Sequence, residues 1–339
     1  MSETFPRIDA EWTWRGMRAI LLENRTLRVI VLPELGGRIW SIVSKAHDRE
    51  MLWHNERVPP RPAPYGATYD NWFAGGWDEV FPNDAPVTIA GEAYPDHGEI
   101  WSLPAAWSIA QTDDTVSLTL EHRGVALPTR FRKTITLDAE SSTLTLDYTI
   151  VNEGRTPLPL DVHWKLHPAL PVAPGMRLHI PARTAIVDED FPGSLMAGTH
   201  AWPHIPATDG TIRDLRNGPL PDPDSGEAFF LYGTDLRDGR CAVSYPDEGV
   251  GFGLTFDHTV LNAVWIFATF DGWRGLKTLI LEPCTGHFAS LNRAIAAGSA
   301  YRLEQDIHLT TRVTAHILSS AAEVDAFTAD IDIPEGSTA

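Results

Sequence analysis

Period-two alternation of apolar and polar residues is what most limits the folds open to this chain. Thr115 to Glu121 sets Val116, Leu118 and Leu120 on one side, with Ser117 and Thr119 on the other. Thr143 to Ile150 repeats the pattern with Leu144, Leu146, Tyr148 and Ile150. Phe131, Ile135 and Leu137 mark a third such segment, and Phe252, Leu254 and Phe256 a fourth. Successive side chains of an extended chain point to opposite faces, so these segments are strands with one buried side. Gly, Asp, Asn and 26 prolines interrupt them at short intervals. Helical spacing is confined to Ser290–Ala297 and Ser320–Ala329. The pattern predicts an all-β sandwich with few short helices. The Pro-rich stretch Val58–Tyr69 and the Pro-, Asp- and Gly-rich stretch Pro203–Gly226 have strand-like sequence on both sides. They are read as long surface loops of a single domain spanning residues 1–339, with its core from about 15 to 315 and a loose tail from about 330.

Charge removes several classes of function. Asp and Glu number 45 against 27 Lys and Arg, a formal charge of −18. Such a surface repels phosphate backbones and anionic lipid, so neither nucleic acid nor membrane is an expected partner. The longest apolar runs, such as Ala263–Ala268, fall far short of a membrane span, and Met1–Gly16 has no apolar signal segment. Cys241 and Cys284 make neither a disulfide framework nor a zinc pattern, and they fit a reducing, cytoplasmic setting. Oligomeric state is not readable. Twelve tryptophans, many beside Gly, Pro, Asn or Asp, offer flat faces that can pack a core or stack on a sugar ring.

Ionisable and aromatic residues concentrate in three segments: Gly75–Asn83 with Pro95–Trp101, Asp161–Pro168, and Leu279–Gly286. Taken singly, His97 beside Gly98 reads as a turn histidine, and Asp78 with Glu79 as a solvated pair or cap. Glu282 differs, because it ends the apolar run Leu279–Leu281 and precedes a proline. A carboxylate at the end of a buried strand is paired, hydrogen-bonded or functional, since desolvation is costly. His163 and His167, four apart, could share a face, but Pro168 and the missing HExxH argue against a zinc helix, and no metal is expected. Phosphate loop, dinucleotide fingerprint and nucleophile elbow are all absent, so no cofactor is expected. What remains is histidine plus carboxylate among aromatics, which suits proton transfer on a polyhydroxylated ligand.

Four motifs in order resemble the aldose 1-epimerase, or galactose mutarotase, superfamily: LGGRIW at Leu35–Trp40, GGWDE-x-FPN at Gly75–Asn83, DHGE-x-W at Asp96–Trp101, and LEP at Leu281–Pro283. They resemble most closely its bacterial branch, and span roughly residues 15 to 315. The resemblance implies a galactose mutarotase-like β-supersandwich and an isomerase of carbohydrate metabolism that interconverts α and β anomers without a cofactor. It further implies that a glutamate takes the proton of the anomeric hydroxyl while a histidine protonates the ring oxygen. By position Glu282 matches the base, His167 the acid with His163 its rival, and His97 the second site histidine. Arg38, Asp78 and Glu79 would meet the sugar, and Trp77 or Trp101 would form the stacking platform. Hexose-phosphate epimerase relatives carry an arginine four places after the histidine of the HG motif. Trp101 stands there, which points to an unphosphorylated sugar.

Two other readings keep the same residues. A non-catalytic carbohydrate-binding protein needs the aromatic platform but no matched acid and base. A lyase or hydrolase of glycosides or oligosaccharides would set Asp78 or Glu79 opposite Glu282 as a carboxylate pair.

Overall fold

The structure is a computed structural model that describes residues 5–331 apart from 90, 155–159, 192, 217–219 and 330. The alternating segments form the middle of an eight-stranded antiparallel sheet. Thr115–Arg123, Thr129–Asp138, Thr143–Asn152, His308–Leu318 and Val250–Phe256 lie side by side in that order. Register places Leu118 opposite Ile135, Ile135 opposite Leu146, Leu146 opposite Val313, and Val313 opposite Phe256. One apolar row therefore crosses five strands on the buried face, which is what the period of two requires.

A twelve-stranded sheet packs against that row. Its centre runs Arg38–Ser44, Trp77–Val80, Lys165–Pro171, Lys277–Cys284, Ala263–Phe270 and Glu227–Thr234. These strands do not alternate between buried and exposed positions; nearly every residue is buried. Both faces are covered, one by the eight-stranded sheet and the other by loops, so the hydrophobic signal runs on without alternation. Polar residues in such strands stand beneath the loops, and that is where the candidate site lies.

The inner face carries Trp77, whose ring meets Phe252 of the opposite sheet edge-on at 6.0 Å. Glu79 points the same way. It lies 3.3 Å from Lys133, and accepts hydrogen bonds from Tyr148 at 2.8 Å and Trp164 at 3.3 Å. Burial raises the Glu79 carboxyl against the pull of Lys133.

The two helical segments form as Leu291–Ala297 and Ala321–Thr328, each capped by the serine before it, Ser290 and Ser320. The loop Val58–Tyr69 ends in a short 3-10 turn, Tyr69–Asn71, that buries Tyr69. Within Pro203–Gly226 a small ladder pairs His204–Pro206 with Ile212–Asp214. Apart from Ile331, the tail from about 330 lies outside the described residues. Among the described residues, no helix is long and apolar enough to cross a membrane.

Candidate active site

Register builds the site. On the twelve-stranded sheet, His167 pairs with Asp78 of one neighbouring strand. On the other side, Lys165 opposite Cys284 and Ala169 opposite Ile280 bring His167 level with Glu282. Ile39 opposite Trp77 sets Arg38 beside Asp78, and Glu282 faces Trp265, which faces Tyr232. Arg38, Asp78, His167, Glu282, Trp265 and Tyr232 thus form one row on the outer face. Lys165, two residues before His167, points the same way.

At one end of the row, Arg38 Nη2 lies 2.5 Å from Asp78 Oδ2, and Nη1 donates to the Gly75 carbonyl at 2.7 Å. The Tyr69 hydroxyl donates to Asp78 Oδ2 at 2.9 Å, and His167 Nδ1 lies 3.1 Å from Oδ1. Burial alone would raise the Asp78 carboxyl. The Arg38 charge, with His167 and Tyr69, holds it well below the usual carboxylate range instead. An ionised carboxylate only accepts, so the Nδ1 proton of His167 points at Asp78 and its Nε2 is left for the cavity.

At the other end, Lys165 Nζ lies 2.5 Å from Glu282 Oε2 and 2.6 Å from Asp84 Oδ1, over the Trp265 ring at 4.2 Å. Burial opposes the ammonium, yet the two carboxylates push its pKa above the ordinary lysine range. Burial would likewise raise Asp84, but Lys165, with His97, brings it down to about 2. Asp84 Oδ1 then lies 3.7 Å from His97 Nε2, while His97 Nδ1 donates to Asp96 Oδ1 at 2.8 Å. The HG pair turns sharply here. His97 has φ +57°, and a Cβ on Gly98 would come within 2.1 Å of the Phe81 carbonyl oxygen, so the second position admits glycine alone. The turn lays the His97 ring flat on Tyr69, centroids 3.9 Å apart.

These groups line a cavity of about 210 Å³ walled by Tyr69, Phe73, Phe191, Phe230, Phe267 and Trp273. Glu282, His167, His97, Lys165 and Asp84 all reach it. The other residues singled out in the sequence lie elsewhere. Arg38 and Asp78 are buried beneath Tyr69 and His167. Trp101 stands edge-on behind Tyr69 at 5.0 Å, its indole N–H donating to the Asp96 carbonyl. Trp77 and Glu79 face the opposite sheet. His163 packs edge-on against Trp265 at 5.6 Å, and burial drives its pKa down to about 3, so the ring is neutral. Among the described residues, no group of three His, Cys, Asp or Glu side chains is spaced to hold a metal ion.

Sequence reasoning passed over Tyr69, Asp84, Lys165 and the phenylalanine walls. Lys165 carried a usable signal, since it shares the alternation of His167. Tyr69 closes a proline-rich loop, and nothing in its local sequence marks it.

His97 supplies a direct test of these electrostatics. Burial would lower its pKa, but Asp84 and Asp96 outweigh burial and the nearby Lys165, so it is raised. The ring should titrate in carbon-detected NMR with a midpoint above ~6.5. Its contribution to stability is complete below ~6.5 and is lost as pH rises through the folded value. A midpoint at or below ~6.5 would contradict the assigned partners.

A family model described as a domain of unknown function, DUF5107, matches residues 7–222. The chain belongs to that family. The matched span of the DUF5107 model includes His97, Lys165 and His167 but ends before Glu282. Among solved structures, a putative aldose 1-epimerase from Klebsiella pneumoniae superposes with TM-score 0.73 at 15% identity, over 98% of this chain and 88% of that one. A galactose mutarotase-like protein from Clostridium acetobutylicum gives 0.67 at 12% identity, over 92% and 98%. A TPR-domain containing protein from Parabacteroides distasonis gives 0.67 at 17% identity, over 95% of this chain but only 50% of that one. The DUF5107 chain therefore has a galactose mutarotase-like fold. At these identities the likeness establishes the fold and leaves the activity to the site.

Proposed function

We propose that this DUF5107 chain is an aldose 1-epimerase-like isomerase acting on a single uncharged sugar ring. The observation that carries the reading is that His167 and Glu282, on adjacent strands aligned by their flanking pairs, line one cavity together with His97. Glu282 takes the proton of the anomeric hydroxyl as the C1–O5 bond breaks. His167, in its protonated form, gives its Nε2 proton to O5. The open aldehyde turns about C1–C2 and closes again, with both protons returning along the same paths. Positioned acid–base groups contribute about 10²–10⁴-fold to such a step.

Size and charge support the substrate class. A cavity of about 210 Å³ lies below the roughly 300–1,000 Å³ of drug-sized sites, which favours one ring over a chain of sugars. Among the described residues, the cations nearest it are committed: Lys165 to Glu282 and Asp84, Arg38 to Asp78, and Arg274 to the lining residue Asp70. Phosphate or carboxylate recognition would call for a cation free to meet the ligand. Glu79 faces the other sheet and Asp78 is buried under Tyr69 and His167, which weakens a glycosidase built on either acid opposite Glu282.

Proton NMR exchange spectroscopy on equilibrated glucose, galactose, xylose, arabinose, rhamnose and a uronic acid tests the reading. The expected result is protein-dependent α/β exchange on a neutral sugar and none on the uronic acid. Silence across the panel, with saturation transfer onto a bound sugar, would replace the isomerase with a binding protein.

A further inference from the structure

We infer that Lys165 and Asp84 are positioning residues for this reaction: they link Glu282 to His97 across the pocket and set a cation beside the one and an anion beside the other. The inference rests on the isomerase reading of the pocket. It starts from a continuous path of contacts, Glu282 Oε2 to Lys165 Nζ at 2.5 Å, Nζ to Asp84 Oδ1 at 2.6 Å, and Asp84 Oδ1 to His97 Nε2 at 3.7 Å. All four side chains line one cavity, and Lys165, Asp84 and Glu282 are buried. Charges at this spacing and depth act strongly on one another.

The order of signs along the path is what a ring-opening site needs. Glu282 must be an anion to accept the hydroxyl proton, and a cationic imidazole beside it can support charge on the sugar oxygens. Placed directly against each other, those two groups would exchange their proton. Lys165 and Asp84 stand between them as a second pair of opposite sign, so the base keeps a cation as its neighbour and the imidazole keeps an anion. Lys165 also occupies Oε2 of Glu282, which leaves Oε1 to reach the sugar. The lysine is no nucleophile, because an ammonium held by two carboxylates has no free lone pair.

The groups around the path are few. Lys165 faces Asp84, Glu282 and the Trp265 ring, with His163 and Cys284 close by. His97 faces Asp84 and Asp96, stacks on Tyr69, meets His167 edge-on at 5.8 Å, and feels Asp70 and Lys165. Removal of either linking residue should therefore move the His97 titration, and in opposite directions.

Two variants read this out, Asp84→Asn and Lys165→Met, by NMR titration of the His97 ring together with pH profiles of anomer exchange. Asp84→Asn should lower the His97 midpoint by about one unit or more, as expected for the loss of an adjacent opposite charge. The alkaline limb of the exchange rate should move down with it. Lys165→Met should raise the midpoint, because the ammonium opposes the imidazolium. A midpoint unmoved in Asp84→Asn, or shifts of the same sign in both variants, would overturn the inference. So would a shifted midpoint with the rate profile unchanged, since that link would be structural only. If Lys165→Met does not fold, the nearly isosteric Asp84→Asn decides alone. Absence of exchange in the wild-type protein is a separate result that sinks the isomerase reading itself, while the ring titrations still report whether the link exists.

Discussion

Glu282→Gln should slow anomer exchange by about 10²–10⁴-fold while sugar binding stays close to that of the unaltered protein. The amide keeps the shape of the side chain and can still hydrogen-bond a hydroxyl, but it cannot take a proton. The fold has little reason to change. Lys165 keeps Asp84 at 2.6 Å as its counter-ion, and the strand Lys277–Cys284 keeps both neighbours in the sheet. Exchange rates from line-shape or exchange spectroscopy, set beside a saturation-transfer titration of the same sugar, separate the two quantities. A variant that exchanges anomers at the original rate would remove Glu282 from the chemistry.

The second large effect falls on stability. Arg38→Met should cost about 3–5 kcal/mol, the usual penalty when one partner of a buried ion pair is deleted and the other charge is left behind. Asp78 would keep only Tyr69 and His167 as partners, in a position closed to solvent. The penalty has a predictable pH dependence. Asp78 is held well below its ordinary value in the folded protein, chiefly by Arg38 working against burial. The stability this pair contributes is present above ~3.9, the unfolded value, and is lost as pH falls through the lower folded value. The gap between the two proteins in urea unfolding should therefore be widest near neutrality and narrow as pH drops below ~3.9. An equal gap at all pH values would mean that packing of the arginine stem, and not its charge, is what the site loses.

The parts of the protein legible in sequence are those where one face is wet or one face is apolar. The strands around Leu118, Ile135, Leu146 and Leu254 were readable because alternation reports a half-buried sheet. The two helices were readable from helical spacing alone, and their serine caps emerged only in the structure. At the centre of the twelve-stranded sheet both faces are buried, so alternation no longer separates inside from outside. There the question of which acid faces the pocket depends on strand parity. Asp78 and Glu79 are neighbours in one strand and cannot share a face, yet local sequence treats them as a pair. Trp77 and Trp101 look alike as stacking candidates, but Trp77 sits between the sheets and Trp101 stands behind Tyr69. The walls that do line the cavity, such as Tyr69, Phe191 and Phe267, come from three separate segments of the chain. Only the tertiary fold brings them together.

The adjacent acids Asp78 and Glu79 also bear on how the sheet assembles. Each has its own buried cation, Arg38 on the outer side and Lys133 on the inner side. A slip of this strand by a single residue would turn each acid toward the wrong side. Two acids and two cations would then be stranded without partners in a dry interior, a far larger penalty than mismatched aliphatic packing. The strand works like a key cut on both edges, and only one alignment lets it in. The wall that carries His167 and Glu282 is thus proofread by charges that no ligand touches.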